Sequence, residues 1–153
     1  MGVNVAGIQS QPRLLYNIIR DNQGPGVLVG VCNQAKVRSL SQIENNSIIK
    51  NQSGVHVNSG HAKLLKNKIY DNYENGVTLA QHEDFRSHSV LDKNEICSNL
   101  GHGVQCHGNL NFPVIQKNNL VGLNHLCGIH VSGGCHAVVN QNFIANNSTL
   151  ITQ

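Results

Sequence analysis

The sequence predicts an all-β chain wound as a right-handed, single-stranded parallel solenoid of about six to seven coils, and three observations carry that expectation. A frame of the form N-x-[IL]-x-x-N recurs along the chain, a G-[VI]-x-[aliphatic or Cys] segment follows it, and an aliphatic residue precedes it by three positions. Composition agrees: among 153 residues there are 15 glycines, aromatics make up 4% and there is no Trp, so the core must be aliphatic and the turns frequent.

The asparagine frame defines the first strand type. It stands at Asn17/Ile19/Asn22, Asn46/Ile48/Asn51, Asn67/Ile69/Asn72, Asn94/Ile96/Asn99 and Asn142/Ile144/Asn147, with a variant at Asn118/Leu120/Leu123. Alternation places the first Asn and the Ile inward and the residue after Ile outward. Coils stacked about 4.8 Å apart let matching asparagines hydrogen-bond in a ladder, which satisfies amides that a bend would otherwise bury unpaired. The preceding aliphatic residues, Leu14, Ile43, Leu64, Leu91, Ile115 and Val139, define a second strand type. The third opens on a glycine: Gly26-Val27, Gly54-Val55, Gly76-Val77, Gly103-Val104 and Gly128-Ile129, with Gly2-Val3 as the tail of an earlier copy. Glycine there answers a positive φ or a close backbone approach. Strands joined in parallel in this way are overwhelmingly right-handed. Residues 1–153 read as one domain that begins inside a repeat, and the chain is expected to be a segment of a longer protein.

These N-x-I-x-x-N-x-x-G-V units resemble the right-handed parallel β-helix repeats of the pectate-lyase-like superfamily, closest in pattern to the β-helix domains of F-box proteins and related non-enzymatic β-helix proteins. The resemblance runs from Gly2 to Asn147. It implies a β-helix that recognises a protein partner, with the substrate-binding segment of a ubiquitin-ligase adaptor as one form. The second implied function is a polysaccharide lyase or glycoside hydrolase of the pectin-degrading type, with carbohydrate as its ligand.

Chemistry has few footholds. Gly101-His102-Gly103 is similar to a Gly-His-Gly motif of polygalacturonases, but Gly103 is the repeat's own strand-opening glycine. His102 takes a turn slot that other coils fill with Pro25, Ser53, Asn75 and Cys127. Glycoside hydrolysis needs two positioned carboxylates, and the acidic motifs that accompany the polygalacturonase histidine do not occur. Asp21 and Asp71 share a repeat phase with Lys50 between them, which reads as a charge ladder on a solvated face. Glu83-Asp84 is one acidic pair, thin coordination for calcium. His102 and Cys127 share a slot on adjacent coils with His125 nearby, while His56 and His130 share an outward slot three coils apart. Three ligands fall short of structural zinc's four, so no metal, cofactor or catalytic residue is assigned.

Two surfaces are expected to bind a partner. The outward column after the frame's Ile reads Arg20, Ile49, Tyr70, Cys97, Val121 and Ala145, an apolar stripe from Ile49 through Val121. The two longest connections, residues 30–42 and 80–90, carry Lys36, Arg38, His82, Glu83, Asp84 and Arg86, and should flank a groove on one edge. The open ends of the solenoid add an expectation of end-to-end self-association.

A net charge of +3 spread over 11 Lys+Arg makes no basic run, which argues against nucleic acid. No segment approaches the roughly 20 apolar residues of a membrane helix, and the first residues lack a signal-peptide core. An odd set of 5 cysteines without CxxC spacing fits reduced thiols, so the expected compartment is cytoplasmic or nuclear.

Overall fold

In a computed structural model, described for residues 1–6, 11–30, 40–81, 86–117 and 120–148, every regular element is a short strand. In chain order, the first three coils contribute β1 (Val3–Val5), β2 (Arg13–Leu15), β3 (Ile18–Arg20), β4 (Val27–Gly30), β5 (Leu40–Glu44), β6 (Ser47–Ile49), β7 (Val55–Asn58), β8 (His61–Leu65) and β9 (Lys68–Tyr70). The next three contribute β10 (Val77–Ala80), β11 (Val90–Asp92), β12 (Glu95–Cys97), β13 (Val104–His107), β14 (Val114–Gln116), β15 (Leu120–Gly122), β16 (Ile129–Ser132), β17 (Val138–Asn140) and β18 (Ile144–Ala145). Each coil gives one strand to each of three six-stranded parallel sheets: a first sheet β1-β4-β7-β10-β13-β16, a second containing β2, β5, β8, β11, β14 and β17, and a third containing β3, β6, β9, β12, β15 and β18. Six rungs with five steps between them make about 5 turns, slightly fewer than the six to seven coils expected.

The register aligns the columns read in the sequence. Leu14, Ile43, Leu64, Leu91, Ile115 and Val139 are successive partners in the second sheet. Ile19, Ile48, Ile69 and Ile96 stack in the third, and Val27, Val55, Val77 and Val104 in the first. From Val27 onward these aliphatics are fully buried through Ile115 and Val121, so each coil closes around a dry column that the next coil extends.

Two asparagine ladders run along this core. In the first, Nδ2 of Asn17 donates to Oδ1 of Asn46 (2.9 Å), Asn46 to Asn67 (3.0 Å) and Asn67 to Asn94 (2.9 Å). In the second, Asn22, Asn51, Asn72, Asn99, Asn124 and Asn147 are linked in the same sense over 2.8–3.3 Å. Each Oδ1 also accepts the backbone N–H of the preceding ladder member, so one side chain satisfies two donors at a bend.

At two corners the chain turns on a single residue in the left-handed region: Tyr16, Asn45, Lys66, Lys93, Lys117 and Gln141 at one, Asp21, Lys50, Asp71, Ser98, Leu123 and Asn146 at the other. None is glycine, and each costs about 1 to 2 kcal/mol of backbone strain. The ladder bonds, about 1 kcal/mol each with a larger penalty if left unmade, offset it.

The strand-opening glycines have ordinary φ; close approach, not backbone sign, selects them. A Cβ on Gly76 would lie 2.7 Å from Nδ2 of Asn99, 2.7 Å from Cγ2 of Ile96 and 2.8 Å from the carbonyl oxygen of Gly103.

Candidate functional site

Coil five corrects one assignment. Glu95 pairs with Leu120, Ile96 with Val121 and Cys97 with Gly122, so Val121 takes the place that Ile96 holds in the coil before, while Asn118 lies outside the described residues. One residue more separates the left-handed Lys117 from Val121 than separates Lys93 from Ile96, which puts the core position one residue later than the expected Leu120. Val121 is therefore fully buried in the core column and is not a partner-binding residue. Leu123, read as the equivalent of Asn72 and Asn99, takes the exposed left-handed corner, and Asn124 stands in line with those asparagines instead.

The outward column of the third sheet is thus Arg20, Ile49, Tyr70, Cys97, Gly122 and Ala145. Ile49, Tyr70 and Cys97 are half-buried neighbours on three successive rungs, and Gly122 leaves a step beside Cys97 with no side chain. Burial, and next the charge of Glu95, push the Cys97 thiol above its ordinary pKa. A thiol held protonated in this way is a weak nucleophile. Arg20 at the end of the column is exposed and ion-pairs with Asp21 at 2.5 Å.

Both long connections run from the first sheet to the second, β4 to β5 and β10 to β11, with one rung between them, so they emerge on the same edge as expected. Lys36, Arg38, His82, Glu83 and Asp84 lie outside the described residues. Arg86 is exposed, with its guanidinium carbon 5.7 Å from the centre of the Phe112 ring, and Phe112 stacks on His136 at 5.1 Å with planes 10° apart. This Arg–Phe–His column crosses three coils on the loop edge. Sequence reasoning missed Phe112 and His136 because they lie outside the repeating frame.

The turn slot before the first sheet also holds as read. Gly26, Gly54, Gly76 and Gly103 donate their N–H groups to the carbonyls of Ser53, Asn75, His102 and Cys127 in turn. Its side chains form their own ladder: the His102 N–H donates to Oδ1 of Asn75 (2.8 Å), and the Cys127 N–H to Nδ1 of His102 (3.2 Å). The third group at this corner is His130, not His125. Ligand atoms of His102, Cys127 and His130 all lie within 4.8 Å of one another, and the two imidazoles stack at 4.6 Å with planes 16° apart. One coil below, Asn75 meets Gln105 in the same diagonal, Nδ2 to Oε1 at 2.8 Å. A slot residue thus reaches the outward residue of the next coil, which the separate treatment of the two columns did not anticipate. Burial, and next His130, hold His102 below the ordinary histidine pKa.

In the same connection between third and first sheets, on earlier coils, Asp21, Asn22, Gln23, Lys50, Gln52 and Tyr73 line an open depression of about 350 Å³. Asp21 and Lys50 sit there on adjacent coils with Asp71 next in the column, the arrangement expected of a solvated charge ladder.

The family model for a right-handed β-helix region matches residues 2–152. The chain belongs to the right-handed β-helix family. No curated protein and no solved structure matches it. Family membership accounts for the three sheets, ladders and glycine column of this β-helix. It does not separate the F-box subgroup from others that share the repeat. Cys97, Cys106, Cys127 and Cys135 of the β-helix are free thiols, and burial, with Cys135 beside it, pushes Cys106 up to about 12.

Proposed function

We propose that this chain is a non-enzymatic recognition module whose third-sheet face docks a protein partner, as the substrate-binding segment of an intracellular ubiquitin-ligase adaptor would. The observation that carries the reading is the register of Ile49, Tyr70 and Cys97, which aligns three half-buried, apolar or weakly polar side chains on successive rungs of a rigid sheet. Such a surface loses little on desolvation and offers an aromatic anchor at its centre. The bare step at Gly122 gives a partner's side chain room beside Cys97. Arg86, braced on Phe112, supplies a cation on the separate loop edge.

A pectin-degrading activity would ask for two carboxylates free to handle protons or calcium. Asp21, the acid that borders the open depression, already carries Arg20 as its ion partner.

The test pairs Ile49→Lys with Tyr70→Lys in the full-length protein and compares partners captured from cell extract with those of the unaltered protein. Loss of a defined partner with unchanged melting is the expected result. Retention of every partner by this variant, with loss in Arg86→Ala, would move recognition to the loop edge. Cleavage of polygalacturonate by the unaltered chain that disappears in His102→Ala would replace the reading with the enzymatic one.

A further inference from the structure

We propose that His102, Cys127 and His130 form a three-ligand site for a borderline-soft divalent cation of the zinc class, with a fourth position left to water. The inference stands on the corner's geometry and is independent of the third-sheet docking face. One ligand atom from each residue already lies within 4.8 Å of the others. Bonds of about 2.0 Å to nitrogen and about 2.3 Å to sulfur in a tetrahedron set ligand atoms roughly 3.3 to 3.6 Å apart, so closure asks the donor atoms to approach by about 1 Å and the two stacked imidazoles to turn out of parallel, so that both lone pairs meet the ion. The backbone does not have to move, because His102 and Cys127 are fixed in one slot on adjacent coils by the Gly76 N–H to His102 carbonyl and Gly103 N–H to Cys127 carbonyl bonds, both 2.9 Å. His130 is held in register with Gln105 by the first sheet.

The donor set selects the ion. Two imidazoles and a thiol suit zinc and its neighbours, whereas calcium and magnesium require oxygen ligands that this trio does not supply. All three residues are half-buried, so an ion can enter from solvent and retain a water. Nδ1 of His102 accepts the Cys127 N–H and is therefore unprotonated, presenting a lone pair toward the coil that carries the thiol. Ligation through Nδ1 trades away that bond, which at 3.2 Å is a long one. Binding deprotonates the thiol and releases its proton to solvent.

The repeat itself supplies substitutions that keep the fold. Asn75 occupies the His102 slot one coil below and there accepts a backbone N–H through Oδ1, so His102→Asn preserves an acceptor for Cys127 while removing the imidazole. Ser53 licenses Cys127→Ser and Gln105 licenses His130→Gln by the same column logic.

The experiment titrates the chain with Zn²⁺ against a chromophoric chelator, and separately with Co²⁺ to read the thiolate-to-metal absorption band. The expected result is one equivalent bound, a cobalt–thiolate band lost in Cys127→Ser, and affinity lowered in each of the three variants by more than about 100-fold, beyond what loss of a merely supporting partner causes. His125→Ala and Cys97→Ser should bind as the unaltered chain does. Absence of Zn²⁺ binding, its survival in the triple variant, or equal loss in Cys97→Ser would overturn the assignment. Unchanged melting of the metal-free variants shows that any loss belongs to the site, and if His102→Asn melts early, Cys127→Ser with its cobalt band decides alone.

Discussion

Replacing Asn99 by Leu removes a link from the middle of the longer ladder. Oδ1 of Asn99 accepts both the backbone N–H of Asn72 (3.1 Å) and its Nδ2 (2.9 Å), and Nδ2 of Asn99 donates to Asn124 (2.9 Å) and to the Ile69 carbonyl (3.3 Å). Asn72 and Asn99 are both buried, so water cannot replace what is lost. The orphaned Asn72 N–H costs about 1 to 3 kcal/mol, and the remaining bonds about 1 kcal/mol each. Against this, Leu buries apolar surface worth about 1 to 2 kcal/mol. The net destabilisation is about 2 to 5 kcal/mol, a fall in Tm of about 4 to 20 °C for a chain of this size. Asn22→Leu, at the half-buried ladder end where the side chain only donates, should cost less than about 1 kcal/mol. Thermal melts of the two variants beside the unaltered chain measure the contrast. Equal melting points for Asn99→Leu and the unaltered chain would refute the ladder as a source of stability.

Other outcomes follow from the register and burial. Val121→Lys places a charge in the closed core and should abolish cooperative melting, whereas Cys97→Lys, one column outward on the adjacent rung, should melt within a few degrees of the unaltered chain. Gly76→Ala should lower stability by about 1 to 3 kcal/mol in urea denaturation, because its Cβ collides with Asn99, Ile96 and the Gly103 carbonyl. His56, on the outer face of the first sheet, is held below the ordinary histidine pKa of 6.5 mainly by burial, then by His107, with Glu74 opposing. The unfolded chain therefore binds its proton first, so His56 contributes stability that is present above pH 6.5 and lost as pH falls toward the lower folded value. His56→Gln should flatten that part of the Tm-against-pH curve.

The solenoid was legible because its rule is local and repeated: inward aliphatics at fixed places in each strand, one ladder amide per corner, one glycine where coils crowd. Slot assignments such as Pro25, Ser53, Asn75, His102 and Cys127 follow from phase alone and match the backbone bonding. Coil five was misread because Asn118-Asn119 offers two frames, and only the buried pairing of Val121 with Ile96 chooses between them. The left-handed corners gave an uneven sequence signal: Asp21, Asn45, Asp71 and Asn146 are residue types that visit positive φ, whereas Tyr16, Lys50 and Leu123 are not. Contacts between columns were equally silent. His102 meets His130, and Arg86 meets Phe112, diagonally across coils, and such meetings depend on side-chain reach that a one-dimensional frame does not encode.

The most direct measurement places a photo-crosslinking amino acid at position 70, at Lys63 or at Arg86 of the full-length protein in cells, and identifies the adducts by mass spectrometry. Position 70 is the centre of the third-sheet stripe, Lys63 is exposed on the second sheet, and Arg86 marks the loop edge. Docking on the third sheet predicts a defined protein adduct from position 70 that is lost when Ile49 is changed to Lys, and none from Lys63. Adducts from Lys63 or Arg86 with none from position 70 would contradict it.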